Sequence, residues 1–534
     1  MRSGPRKRRL GLTVLPSRSR GRHYAHCADR ENEPRQTSRC LCKRRLFLQG
    51  YSVRRFDGRP KALPASFDTK PWTGVRDALD IGPPAPQSRE WPGASAELQE
   101  FLGDMVGPGQ MGEDCLVLNL WTPSLHRPNK RPVMVFLHGA YVIGSSGIPL
   151  YDGTNLAARH DVVVVGLNHR LNFTGYLYLG GIGGEKYADS GNLGLLDIVF
   201  ALQWVRANVR SFGGDPTNVT IFGESDGGSQ VTALLAMPSA KGLFQKAIVE
   251  SGSDLRVSSR EEADAAARKF LAQLHVAPDR VDDLRTIPMD RFIAAHYSMG
   301  ESFFSFGPVV DGRSLPRQPF DPDAPAISAG VPMLIGTNAD EARTLLGLRD
   351  PALFSLNEAD MRTKVKAYLE VTDDSKLDSL IAAYRKNRPN ATPSDIFFAI
   401  TTDLLWRMGA VTQGERKAAQ HSASAYMYIF EWPTPVRGGK LKAMHGVELP
   451  FVFDNVDKVP RWIGQGAGLQ PLADKVSGAW VEFARSGNPN HMGLPHWPTY
   501  ETSTRATMIF NDDCKVMNDP GKDERLAKAS MPQT

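Results

Sequence analysis

Cysteine is scarce, five in 534 residues, at Cys27, Cys40, Cys42, Cys115 and Cys514. No CxxC pair or Cys/His cluster has zinc spacing, so no metal site is expected, and the odd count supports no disulfide framework. Free thiols in a reducing compartment are the simpler expectation. Long apolar runs are missing too: none approaches the roughly 20 residues that cross a bilayer, which excludes a spanning helix. Acidic residues are sparse only at the start. Residues 1 to 50 hold 14 Lys+Arg against 3 Asp+Glu, while the remainder holds 50 against 55. The net charge of +6 therefore belongs to a tail and argues for no nucleic-acid partner. That tail lacks an apolar segment long enough for a secretory signal, so a cytoplasmic location is the default expectation. A transit peptide, a disordered extension or a misassigned start all fit its composition. Internal repeats and low-complexity blocks are absent, and nothing sets an oligomeric state.

From about residue 52 the pattern becomes regular. "PVMVFLHG" and "DVVVVGLN" are short β-branched runs ending in turn residues, the form of strands buried on both faces of a parallel sheet. "GLLDIVFALQWVRANVRSFGG" has helical spacing at Leu195, Val199 and Leu202 until Gly213 and Gly214 stop it. "KAIVESG", "PMLIGTN" and "AYMYIFEW" supply further strands, and "REEADAAARKFLAQL" and "ADMRTKVKAYLEV" further helices. The alternation predicts an α/β class with a central, mostly parallel sheet flanked by helices. Residues 1 to 50 are expected to form a basic, disordered extension and 51 to 534 one domain.

"NVTIFGESDGGSQVTALLAM" places Gly223-Glu224-Ser225-Asp226-Gly227 between a β-run and a helical stretch. A turn that tight leaves no room for side chains two residues either side of the Ser, and it lifts the hydroxyl above the sheet edge. A Ser hydroxyl becomes nucleophilic when an imidazole takes its proton, and the imidazole needs a carboxylate to fix its tautomer. In this architecture the acid and then the His follow the Ser in the chain. "LIGTNADEART" offers Glu341 just past a strand, and "AMHGVELPFVF" offers His445 on a loop. Taken alone, a loop His is more often a surface residue and a Glu just past a strand more often a helix-start charge.

Further stretches carry a resemblance. "EDCLVLNLWTP", "NHRLNFTGYL", "GNLGLLD", "WVRANVRSFGGDPTNVTIFGES", "AKGLFQKAIVESGS", "GPVVDG", "VPMLIGTNADEA", "HGVELPFVF" and "FARSGNPN" occur in this order. Over roughly residues 52 to 528 the sequence resembles the type-B carboxylesterases, the cholinesterase-like branch of the α/β hydrolases, and in particular their bacterial para-nitrobenzyl-esterase-like members. The resemblance implies an α/β-hydrolase fold and a serine carboxylesterase working through an acyl-enzyme, with a small ester and water as substrates and no cofactor. It implies a triad of Ser225, Glu341 and His445, and an oxyanion hole of the Gly139, Ala140 and Asp226 N–H groups. Glu224 and Ser251 would support the triad from behind, a satisfied core Ser being an equal reading of Ser251. Tyr141, Phe303, Phe304 and Phe306 would line the substrate pocket; packed core aromatics are the alternative for the three Phe.

Two departures bear on activity. Where the family commonly shows HGGG and an aromatic, this chain reads "HGAYVIGS", one residue short, so a displaced donor loop is expected. Losing one oxyanion donor costs about 10² to 10³ in turnover. Asp226 stands where relatives carry Ala or Gly, and a carboxylate beside a developing oxyanion opposes it, so reduced activity is expected unless the side chain points outward or stays protonated. These two features keep a second class open, a non-catalytic binding protein of the same fold.

Overall fold

Short β-branched runs bounded by turn residues become the strands of one large sheet. The computed structural model describes residues 80–107, 109–125 and 130–529, with Ala78 and Met531, and the backbone of three earlier strands, β1 (Leu12–Pro16), β2 (His23–Cys27) and β3 (Cys42–Phe47). The others are β4 (Val117–Thr122), β5 (Arg131–Leu137), β6 (Val163–Leu167), β7 (Gly214–Glu224), β8 (Lys246–Glu250), β9 (Met333–Asn338), β10 (Ala425–Phe430), β11 (Ala506–Phe510) and β12 (Lys515–Asn518). β1 and β2 pair with each other. The remaining ten form a sheet in the order β12-β11-β10-β9-β8-β7-β5-β6-β4-β3.

From β6 to β11 every neighbouring pair is parallel, and the antiparallel pairs lie at the two edges. The helices Leu193–Asn208, Asp226–Leu234, Met408–Ala418 and Leu469–Ser486 pack against this sheet, and β6, β8 and β9 are buried along their whole length. Continuous apolar runs such as "VVVGL" are what burial on both faces demands. The Leu193–Asn208 helix tightens into a 3-10 turn over Val209–Phe212 and ends at Gly213, whose φ of 75° only glycine adopts freely. A smaller core, including Met361, Leu380 and Phe397, lies among the helices Glu358–Tyr368, Asp374–Asn387 and Pro393–Thr402.

β3 falls inside the stretch expected to be a disordered extension, yet its backbone pairs with β4 from Cys42 to Phe47. Backbone groups suffice for edge pairing, which a composition argument about side chains does not register. The rest of residues 1 to 41 and 48 to 77 lies outside the described residues, apart from β1 and β2. Among the described residues no helix is long and apolar enough to cross a membrane. Cys115 is buried and Cys514 half-buried, both as free thiols.

Because β5, β7, β8, β9 and β10 run parallel, their carboxyl ends share one edge. The candidate site residues follow those ends: Gly139 after β5, Ser225 after β7, Ser251 after β8, Glu341 after β9 and His445 on the connection after β10. This is where open α/β sheets bind ligands.

Candidate active site

Ser225 joins β7 directly to the Asp226–Leu234 helix at φ 58° and ψ −129°. A residue with a side chain is held there at a cost of about 1 to 3 kcal/mol, so the surroundings must enforce it. They do so through backbone contacts: Ser225 N–H donates to Glu250 O at 2.8 Å, and Ser229 N–H donates to Ser225 O at 3.0 Å. The flanking glycines are sterically required. A Cβ on Gly223 would lie 2.5 Å from the Gly227 carbonyl, and one on Gly227 would lie 2.1 Å from Leu137 O.

Glu341 and His445 meet. His445 Nδ1 lies 2.5 Å from Glu341 Oε2, and Glu341 Oε1 accepts from the Asn338 N–H at 2.7 Å and from Ser251 Oγ at 2.5 Å. With three hydrogen-bonding partners the fully buried carboxyl is held in place. Ser251 thus holds Glu341 through its hydroxyl. The backbone N–H of His445 donates to Thr344 Oγ1 at 3.1 Å, which fixes the loop that carries the ring.

The other ring nitrogen departs from the simple triad picture. Nε2 lies 3.2 Å from Glu224 Oε1, and among the described residues no hydrogen bond joins His445 to Ser225. Burial alone would depress the imidazolium, but the carboxylates of Glu224 and Glu341 outweigh it and raise the His445 pKa to about 10. Burial pushes Glu224 up to about 7, against the pull of His445. Two further carboxyls sit beneath: Glu250, held by Trp480 Nε1 at 2.9 Å and pushed by burial to about 8, and Glu448, bound by Asn338 Nδ2 and also raised by burial. Neither was singled out from sequence, although Glu250 adjoins Ser251 and Glu448 stands three residues after His445. Trp406 was also missed. Its ring lies 5.5 Å from that of His445, on a π-helical segment, Asp403–Arg407, of the kind frequent at functional sites.

The short donor loop closes against the nucleophile. A Cβ on Gly139 would lie 3.0 Å from Glu224 O and 3.2 Å from Ser225 Cβ, so the Gly139 backbone packs directly on the elbow. Ala140 takes a φ of 63°, strained for a residue with a Cβ. Among the described residues the N–H groups of Gly139, Ala140 and Asp226 make no hydrogen bond. Gly139 packs on the elbow and Asp226 follows the Ser in the chain, so unpartnered backbone donors lie close to Ser225. The Asp226 side chain does not stand free beside them: its Oδ2 accepts the Tyr141 N–H at 2.7 Å. Burial and then Asp254 raise its carboxyl to about 6, opposed by that hydrogen bond and by His445.

The aromatic expectations divide. Tyr141 is 8% exposed, edge-on to Tyr176 at 5.0 Å, and its ring faces Gly307. Phe303 stacks on His296 at 4.1 Å and Phe306 meets Phe270 at 5.4 Å, contacts of a core cluster, whereas Phe304 is 57% exposed. Among the described residues no group of three or more His, Cys, Asp or Glu is arranged to hold a metal ion. Two carboxylates, an imidazole, a strained Ser and free backbone donors can together perform acyl transfer.

A family model described as "Carboxylesterase family" matches residues 63–528. The para-nitrobenzyl esterase of Bacillus subtilis (strain 168) is 37% identical over 465 residues, 85% of this chain and 88% of that protein. The phenmedipham hydrolase of Pseudarthrobacter oxydans is 34% identical, over 86% of this chain and 90% of its own. Among solved structures, the carboxylesterase EST55 of Geobacillus stearothermophilus superposes with a TM-score of 0.74 at 37% identity, covering 85% of this chain and 90% of that one.

Proposed function

The chain belongs to the carboxylesterase family and is a serine carboxylesterase of α/β-hydrolase fold, and from that premise we propose that Ser225, His445 and Glu341 carry its chemistry. Ser225 Oγ attacks the ester carbonyl while His445 Nε2 takes its proton, and Glu341 holds the ring through Nδ1 and stabilises the imidazolium. The carbonyl oxygen, now negative, lies among the N–H groups of Gly139, Ala140 and Asp226. Collapse breaks the C–O bond, the imidazolium protonates the departing alcohol, and Ser225 is left acylated. Water repeats the sequence against the acyl-enzyme and releases the acid.

The observation that carries this reading is the position of the Glu341–His445 pair at the same sheet edge as the strained Ser225, with unpartnered backbone donors close to the nucleophile. Nothing favours the non-catalytic alternative. Uncharged esters are the proposed substrate class, and the name of the Bacillus relative makes a nitrobenzyl or nitrophenyl ester a reasonable probe.

The test is hydrolysis of p-nitrophenyl acetate by the wild type and by Ser225→Ala, with an organophosphate label located by mass spectrometry. The expected result is label on Ser225 and a fall in turnover of about 10³-fold or more in the variant. A folded wild type that shows neither turnover nor label overturns the assignment.

A further inference from the structure

Asp226 was expected to oppose the reaction, and the shortened loop to spoil the oxyanion site. In the structure the two features meet. The 138–145 loop reads one residue shorter than the family pattern, and within it Ala140 takes a φ of 63°. Relaxing that angle would reset the two peptides that meet at Ala140 relative to each other, because φ is the rotation about the N–Cα bond. Something must therefore hold the neighbouring peptide. On one side the Tyr141 carbonyl accepts the Asn172 N–H at 2.7 Å. On the other the Tyr141 N–H donates to Asp226 Oδ2 at 2.7 Å, a charge-assisted bond of the strong kind. Further along, the Gly144 N–H donates to Gln87 Oε1 at 2.8 Å. Of these ties, only Asp226 links the loop to the residue that follows the nucleophile.

We propose that Asp226 is a positioning residue: its carboxylate ties the shortened loop to the nucleophile turn through the Tyr141 N–H, and so keeps the Gly139 and Ala140 donors aimed at the oxyanion. The proposal rests on the assignment of Ser225 as nucleophile. It makes the deletion and the acidic residue a matched pair, each tolerable because of the other. Asp226 serves the oxyanion twice, its own N–H as a donor and its side chain as the fastener of the other two. The carboxylate is occupied by a backbone donor, which offsets its repulsion of the developing charge.

The experiment compares wild type, Ser225→Ala, Asp226→Asn and Asp226→Ala on p-nitrophenyl acetate, with hydrogen exchange of the 138–146 segment measured on each. Asn keeps an oxygen that can accept the Tyr141 N–H, and Ala does not. For Asp226→Ala the expected result is a fall in kcat of about 10- to 100-fold with KM changed less than about threefold, since only transition-state contacts are lost. Exchange of the segment should rise in the same variant. Asp226→Asn, which keeps an acceptor for the Tyr141 N–H, should recover most of the kcat and of the exchange protection lost in Asp226→Ala. An Asp226→Ala enzyme as fast as wild type or faster overturns the proposal, as does an equal loss in Asn and Ala. If the wild type shows no Ser225-dependent turnover, the assignment of Ser225 fails instead, and unchanged exchange in Asp226→Ala would then refute the tie by itself.

Discussion

At the scale of single residues, the resting partner of His445 is the feature with the clearest consequence. A general base must be neutral to accept the Ser225 proton, and the carboxylates beside His445 favour its charged form. Glu224 is the removable one, since Glu341 also orients the ring. With a folded-state pKa above the ordinary imidazole value, kcat/KM should climb as pH rises through a limb on the alkaline side of about 6.5. Glu224→Gln takes away a negative charge 3.2 Å from Nε2, so the imidazolium loses stabilisation, its pKa falls, and the limb moves towards acid. An opposite charge at this range is worth about 1 to 3 pH units. Because Glu224 itself titrates near 7, the wild-type limb belongs to the pair, and the variant should show a simpler single-proton curve. The check is a pH–rate profile of both proteins on one neutral ester. A limb that stays in place would show that Glu224 does not set the charge of His445.

At the scale of elements, the elbow depends on how closely β5, β7 and the following helix approach. Gly227 sits where its missing side chain lets the helix start against Leu137 O, so Gly227→Ala forces backbone to move rather than a side chain to turn. Overlap of that kind costs about 3 kcal/mol or more. The variant should lose soluble yield or unfold at clearly lower urea, while Gly330→Ala, with nothing within 4 Å, should match wild type. Equal urea midpoints for the two would contradict the steric reading of the turn. This turn was legible from sequence because its demands are local: a β-run, two glycines at fixed distance from a Ser, and a helix. The strands from β5 to β10 were legible as well, since burial on both faces writes itself as unbroken apolar runs. The pairing of Glu341 with His445 was not. They lie 104 residues apart, and only the resemblance joined them before the fold did. The direction of the Asp226 side chain is also hidden, because it is set by the Tyr141 N–H 85 residues away in the chain. Trp406 carried no signal at all, because a π-helical turn leaves no periodicity of its own.

At the scale of the whole molecule, distant parts of the chain are closed onto the site by buried charge. Arg407, one residue after Trp406, donates to Asp403 through Nε at 2.5 Å, to the Pro520 carbonyl at 3.0 Å and to Glu524 at 3.2 Å. Asp403 also accepts the Tyr384 hydroxyl, and Glu524 is bound by Arg388. Two guanidinium groups and two carboxylates thus balance where the Lys522–Ala529 helix docks on the helices behind the π-helical turn. Replacing Arg407 by Met keeps much of the packing but leaves two nearly inaccessible carboxylates with one cation between them. Removing one partner of a buried pair costs about 3 to 5 kcal/mol. In a chain this long the cost should fall on the docking rather than on the sheet, because regions open with separate free energies. Arg407→Met should therefore raise hydrogen exchange across residues 522–529 and 374–387 by about 10²-fold or more, 1.4 kcal/mol per tenfold, while β5 to β9 stay protected. Glu524→Gln, which removes a negative charge from the same cluster, should act on the same segments, and the double variant should cost less than the sum of the two. Uniformly faster exchange throughout the sheet would instead mean that this cluster stabilises the whole fold as one unit.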